Sequence, residues 1–250
     1  MNINIRTQQV GIDRSIRLKW LNYTAQLVLA GNNDQAIKTD LEKYLSKYFS
    51  TSVAVRGSLS KTITILIKTW VRVPSSLESF RNDGLELLKK GGDNVIMPVN
   101  WGMISATYPF WGSVAYQTGR LLRLQNEVVA SQVQRRIREQ YGERETVSRR
   151  VRYVLRAFID WGALIETGTT GTYSPTPPLK SDDTKLVSWL IESILHSRIN
   201  GSTSMRDLLE SPSLFPFRLR SITADHLHSV APRLECVRHG LDEDLVMLKK

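Results

Sequence analysis

The chain has a single cysteine, Cys236, which excludes an intramolecular disulfide framework and every zinc site that needs two thiolates from within the chain. No G-x-x-x-x-G-K-[ST] or G-x-G-x-x-G phosphate loop and no Gly-x-Ser-x-Gly elbow occurs, so the common signatures of nucleotide-using and acyl-transfer enzymes are missing. Acidic residues are in deficit, 24 against 34 basic ones, for a formal net charge of +10. Lysine is absent from Gly91 to Leu179, although the chain holds twelve elsewhere. Met1 to Lys19 lacks the apolar run of a signal peptide. These absences predict a cytoplasmic, non-enzymatic protein without a cofactor.

What is present is an ordinary globular composition. In 250 residues, 41% are apolar and 23% charged, enough to bury a core and too apolar for wholesale disorder. Val95 to Gly119 is a run of 25 uncharged residues, long enough to span a bilayer. Pro98, Asn100, Ser105, Thr107, Pro109, Ser113, Gln117 and Thr118 interrupt it, and leucine is absent. It reads instead as a buried core segment anchored by Trp101, Tyr108, Phe110, Trp111 and Tyr116, and no membrane partner is expected.

Apolar spacing predicts helices over Ile16 to Ala30 and Asp34 to Phe49, separated by Gly31-Asn32-Asn33. A third, capped by Ser58 or Ser60, runs through Ile63, Ile67 and Trp70 towards Pro74, with a strand over the β-branched Thr62 to Ile65 as the alternative. Ser75 to Lys90 is a fourth, closed by Gly91-Gly92. Further helices are expected over Trp111 to Glu127, Ser131 to Tyr141 and Thr146 to Trp161. The last carries Val147, Val151, Val154, Leu155, Phe158 and Ile159 as one buried stripe. Ala163 to Thr167 and Thr172 to Thr176 are short strands joined by Gly168-Thr169-Thr170-Gly171. Ser174 to Asp183, with Pro175, Pro177 and Pro178, reads as a linker. Beyond it come helices over Thr184 to Ser197, Ser204 to Glu210 and Thr223 to Ser229, then β-prone runs at Leu234 to Val237 and Leu245 to Leu248. The order helix, short helix, helix, hairpin thus occurs twice, the second copy degenerate.

Three helices followed by a glycine-bounded ribbon make Trp111 to Ser174 resemble the winged helix-turn-helix superfamily, through Ser131 to Tyr141, the tight Gly142-Glu143-Arg144-Glu145 connection, Thr146 to Trp161 and the helix-ending Asp160-Trp161-Gly162. The resemblance implies a third helix lying in the major groove of DNA and a wing along the backbone or minor groove. The expected fold is mainly α. A helical domain spans 1–92, a winged helix-turn-helix with a small β-hairpin wing spans 93–176, and a C-terminal helical or degenerate winged-helix unit spans 177–250. Trp101 to Trp161 also resembles helical proteins of prokaryotic phage-defence clusters, on Trp101-Gly102, Tyr108-Pro109-Phe110 and Asp160-Trp161-Gly162.

Charge distribution selects the partner. Ten arginines fall between Arg120 and Arg156 against four glutamates, a net of +6. Off the apolar stripe, the third helix offers Ser148, Arg149, Arg150, Arg152, Tyr153 and Arg156. Guanidinium binds phosphate bidentately and reads the O6 and N7 edge of guanine. The second helix adds Gln132, Gln134, Arg135, Arg136 and Arg138, and Thr169 and Thr170 at the wing tip can donate to phosphates. Double-stranded DNA is the expected partner. The competing reading is a solvated face, with Glu139, Glu143 and Glu145 pairing some of these arginines. Two functional rivals stand beside an accessory DNA-binding subunit: a transcriptional repressor with a sensor pocket in the aromatic stretch, and a scaffold holding protein partners, with oligomerisation possible in each. His226, His228, Cys236 and His239 are four zinc-competent groups within fourteen residues, but their spacing matches no known finger, and solvent-facing histidines are the expected reading.

Overall fold

Helices dominate the chain, and the features that end them are visible in its residues. The structure, a computed structural model, describes residues 9–49, 53–198, 202–239 and 243–249, and the side chains of all of these except 53–56, 228, 239 and 243. Helix α1 spans Leu18–Leu29 and α2 spans Asp34–Ser46, whose N-cap Asn33 accepts from the Ala36 amide at 2.9 Å. Helix α3 covers Val53–Trp70, so neither Ser58 nor Ser60 caps it, and the strand alternative fails. Within it Thr62 and Thr64 donate their hydroxyls to the carbonyls of Ser58 and Ser60, each at 2.9 Å, while Ile63, Ile65, Leu66 and Trp70 are buried. A 3-10 turn, Ser75–Leu77, leads into α4, Glu78–Lys90.

The long uncharged stretch forms two helices, α5 over Asp93–Thr107 and α6 over Pro109–Gln125. They part at Tyr108 (φ −122°, ψ 85°), because the ring of Pro109 disfavours helical geometry in the residue before it. Helix α5 runs through Pro98 and is buried on every side, as a helix apolar all round must be. No helix among the described residues is long and apolar enough to cross a membrane.

Helix α5 packs most extensively on α9, Thr184–Ser197. Trp189 of α9 fits where Gly102 of α5 and Gly84 of α4 leave room; a Cβ on Gly84 would stand 2.7 Å from its ring and one on Gly102 would overlap it. Its ring stacks on Phe80 at 4.3 Å, and its indole N–H donates to the Phe80 carbonyl at 2.9 Å. Immediately before Gly102 on α5, Trp101 meets Phe158 (4.8 Å), Trp111 (5.6 Å), Trp161 (5.9 Å), Phe215 (5.6 Å) and Phe217 (5.7 Å). Contacts therefore cross both expected boundaries, 92/93 and 176/177, and the apolar core runs from Ile12 to Val246.

After α6 come β1 (Val128–Val129), α7 (Ala130–Tyr141), α8 (Glu145–Asp160), β2 (Leu164–Glu166) and β3 (Thr172–Pro175). The strands form an antiparallel sheet ordered β1-β3-β2, and Gly171 (φ +78°) turns the β2–β3 hairpin where a Cβ would be strained. The expected linker is tied down, since β4 (Leu179–Ser181) pairs in parallel with β6 (Phe217–Leu219). The remaining elements are β5 (Ser202–Ser204), α10 (Met205–Leu209), a 3-10 turn at Pro212–Leu214, α11 (Ala224–Val230), β7 (Leu234–His239) and β8 (Glu243–Leu248). Their antiparallel sheet is ordered β5-β8-β7. The order helix, strand, helix, helix, strand, strand, with the last strand central, thus recurs, and β6 with its preceding turn is inserted in the second copy. That turn lies on α6 so closely that a Cβ on Gly119 would collide with the Pro212 carbonyl.

One buried charge joins the ends of this arrangement. Glu192 of α9 is almost fully buried and takes a two-pronged contact from Arg233, at 2.6 and 3.0 Å, with His196 Nε2 at 3.3 Å. Arg233 also reaches Asp83 of α4 at 2.7 Å. Burial pushes the Glu192 carboxyl up, but the hydrogen bonds and charges of His196 and Arg233 outweigh it and hold the group below its ordinary range. The pair therefore stabilises the fold above the ordinary carboxyl pKa, and that contribution fades as pH falls through the lowered value.

Two outcomes follow. Phe158→Ala should cost roughly 3 to 5 kcal/mol by opening a cavity against Trp101 and Trp111, a loss measured by chemical denaturation. Arg233→Ala should cost about 3 to 5 kcal/mol at neutral pH by stranding Glu192, and urea melts should show the deficit narrowing as pH falls, because burial without Arg233 makes the carboxyl take its proton at a higher pH than in the parent.

Candidate nucleic-acid interface

Helix α8 turns its apolar stripe inward. Val147, Val151, Val154, Leu155 and Phe158 are buried, and Ile159 is only partly so. Positions 149, 153, 156 and 160 follow one another at four- and three-residue steps, so Arg149, Tyr153, Arg156 and Asp160 line a single face. Arg149, Arg152 and Arg156 are exposed on α8, Arg150 and Tyr153 half-buried. Arg156 also lies near the β2–β3 sheet: burial and the charge of Glu166 raise the Tyr173 phenol, and Arg156 opposes them.

Ser148 does not belong to this face. It is buried, with its hydroxyl unpartnered among protein groups, because it stands seven residues before Leu155 and three before Val151, on the inward stripe. Among the other expected contacts, Arg135 pairs with Glu139 at 4.0 Å, Arg138 with Glu143 at 3.3 Å and Arg152 with Glu145 at 2.7 Å. Three of the arginines thus have the glutamate partners that the solvated-face reading expects. These pairs are exposed, where such contacts contribute about 0 to 1 kcal/mol. Arg136, Arg149, Arg150 and Arg156 have no ion pair among the described residues. Gln132 meets the Gln125 amide at 3.4 to 3.5 Å, and Thr169 and Thr170 are exposed at the hairpin tip.

The four zinc-competent groups are only partly placed. Cys236 is half-buried on β7, its thiol pushed up by burial and by Asp244 and Asp225, and His226 is exposed on α11. The side chains of His228 and His239 lie outside the described residues. Among the described residues no three groups that could hold a metal converge.

Two features escaped the sequence reading. A polar cleft of about 570 Å³ opens between α6 and α9, lined by Tyr116, Gln117, Gln140 and Arg198 among others. Only Tyr116 of the five expected core aromatics lines it; the other four are buried. The second is a group of half-buried tyrosines on α1 and at the end of α2, Tyr23, Tyr44 and Tyr48, with cations beside them. Arg17 and Lys19 just before Trp20, and Lys47 just before Tyr48, are the signal that would have found it.

Ser148→Ala should leave any duplex affinity unchanged and raise stability by about 1 kcal/mol, since it removes a buried hydroxyl that lacks a partner; a lowered melting temperature would show that the oxygen is engaged. Comparison with known proteins returned no match to this chain among family models, curated proteins or solved structures.

Proposed function

We propose that this chain binds double-stranded DNA without strong sequence preference, through a winged helix-turn-helix made of α6, β1, α7, α8, β2 and β3. The observation that carries the reading is the exposed stripe of α8, Arg149, Tyr153 and Arg156, beside a β2–β3 hairpin whose third strand is central to its sheet. Unpaired guanidinium groups on α7 and α8 supply charge that phosphate can take without first breaking an ion pair. A wider role as an accessory subunit of a prokaryotic DNA-processing system rests on resemblance alone. The cleft between α6 and α9 favours a second reading, a repressor whose DNA affinity responds to a small polar ligand.

A mobility series on unrelated duplexes with a salt titration tests this. The parent should retard all of them, with log affinity falling against log salt at a slope of about −4 or steeper. Arg149→Ala with Arg156→Ala should flatten the slope by about two units without lowering the melting temperature, as both side chains lie off the core. One preferred duplex supports the repressor. A parent slope near zero means that the basic segment does not meet phosphate, and the scaffold reading takes its place.

A further inference from the structure

The exposed stripe of α8 ends at Asp160, which would repel a polyanion if it stood alone. It does not: Arg17 Nε lies 3.8 Å from its carboxylate, and the Leu18 amide donates to it at 3.3 Å. The Trp161 indole, next in the chain, donates to the Ile16 carbonyl at 2.8 Å. The start of α1 is thereby fixed against the end of α8, and whatever lies along the stripe arrives at α1.

A cluster of rings and cations waits there. Trp20 and Tyr48 stand 5.6 Å apart, Tyr44 and Tyr48 6.0 Å, and Tyr23 and Tyr44 4.2 Å. The Arg17 guanidinium lies 5.2 Å from the Trp20 ring and 5.5 Å from that of Tyr48. Lys19 Nζ is 4.6 Å from Tyr48, and Lys47 Nζ is 4.7 Å from Tyr44 and 5.3 Å from Tyr48. Lys19 and Lys47 are exposed, and neither has an ion pair among the described residues. Ring faces hold these ammonium groups without cancelling their charge, so less side-chain freedom is lost when an anion binds. Because the cations cover the rings, the cluster suits phosphate better than stacked bases.

We propose that duplex DNA seated on α8 continues across α1 and α2, its backbone phosphates meeting Arg17, Lys19 and Lys47. This rests on the DNA-binding reading above and extends it to the N-terminal helices. Helix rise places about 16 Å between Arg149 and Asp160. That stretch alone matches about five base pairs at roughly 3.4 Å each, and the cluster continues the track beyond Asp160.

The test is a salt titration on a 24-base-pair duplex with the parent, Lys19→Ala with Lys47→Ala, Lys89→Ala with Lys90→Ala, and Arg149→Ala with Arg156→Ala. The first two lysines are exposed and off the core, and thermal melting checks that the variant is folded. The parent slope should lie near −6 to −7 and that of the Lys19 and Lys47 variant near −4 to −5, with affinity down about tenfold or more at low salt. The Lys89 and Lys90 variant, which loses the same charge at the end of α4, should match the parent. If Lys19 and Lys47 can be removed with no change in slope while the arginine pair flattens it, the DNA ends at α8 and the proposal is wrong. A parent that shows no salt-sensitive duplex binding overturns this proposal and the DNA-binding reading together. A single strand that outcompetes the duplex, with the advantage lost in the Lys19 and Lys47 variant, overturns the duplex assignment and makes the rings a stacking platform.

Discussion

The ring of Trp101 is the fixed point of the molecule. It sits on a helix buried on every side, and its contacts come from α6, from α8 and its end, and from the segment that runs from α10 into β6. Its indole N–H is satisfied by the Ser213 carbonyl at 3.1 Å, so the same side chain also secures the inserted turn of the second repeat. Phe158 lies stacked on that ring, which leaves α8 one rotational setting about its own axis. Which residues of α8 reach solvent is therefore decided from inside. The face with Arg149 and Arg156 is outward because the face with Phe158 has one place to go.

Charge is used in two different ways. Glu192 and Arg233 are an expensive pair to bury, and they are held by bidentate geometry, a histidine and a second carboxylate. The pairs on α7 and α8 are open to water and to salt. Glu139, Glu143 and Glu145 steady Arg135, Arg138 and Arg152 in the free protein but bind them too weakly to withhold them from a polyanion. The same kinds of residue thus lock one region and leave the other available.

Much of the helical frame was legible in the spacing of apolar residues. The expected helix at Ser131 to Tyr141 is found as Ala130–Tyr141, and that at Thr146 to Trp161 as Glu145–Asp160, since each has inward residues three and four apart and a glycine near its end. Ser148 was misplaced because a small polar residue inside an apolar stripe has no pattern of its own to betray it. Helix α5 was seen as core but not as a continuous helix, because the penalty of Pro98 is local and the packing around it is not. The pairing of β4 with β6 joins segments almost forty residues apart, and nothing within either segment encodes the other. The tyrosines of α1 and α2 fall on the helical spacing of apolar residues, and that spacing carries no sign of the cations held on their rings at the surface.

The contacts that close the core have a consequence for how the chain is made. Trp189 bonds to a carbonyl 109 residues earlier, Trp101 to one 112 residues later and Trp161 to one 145 residues earlier. A ribosome delivers residues in order, so the Trp101 cluster has no Phe215 or Phe217 to cover it until more than a hundred residues after Trp101 have been joined. Throughout that interval the nascent chain carries an incompletely covered apolar helix. Its vulnerability to aggregation or to chaperone capture is set by the pace of translation through the second repeat rather than by the stability of the finished fold.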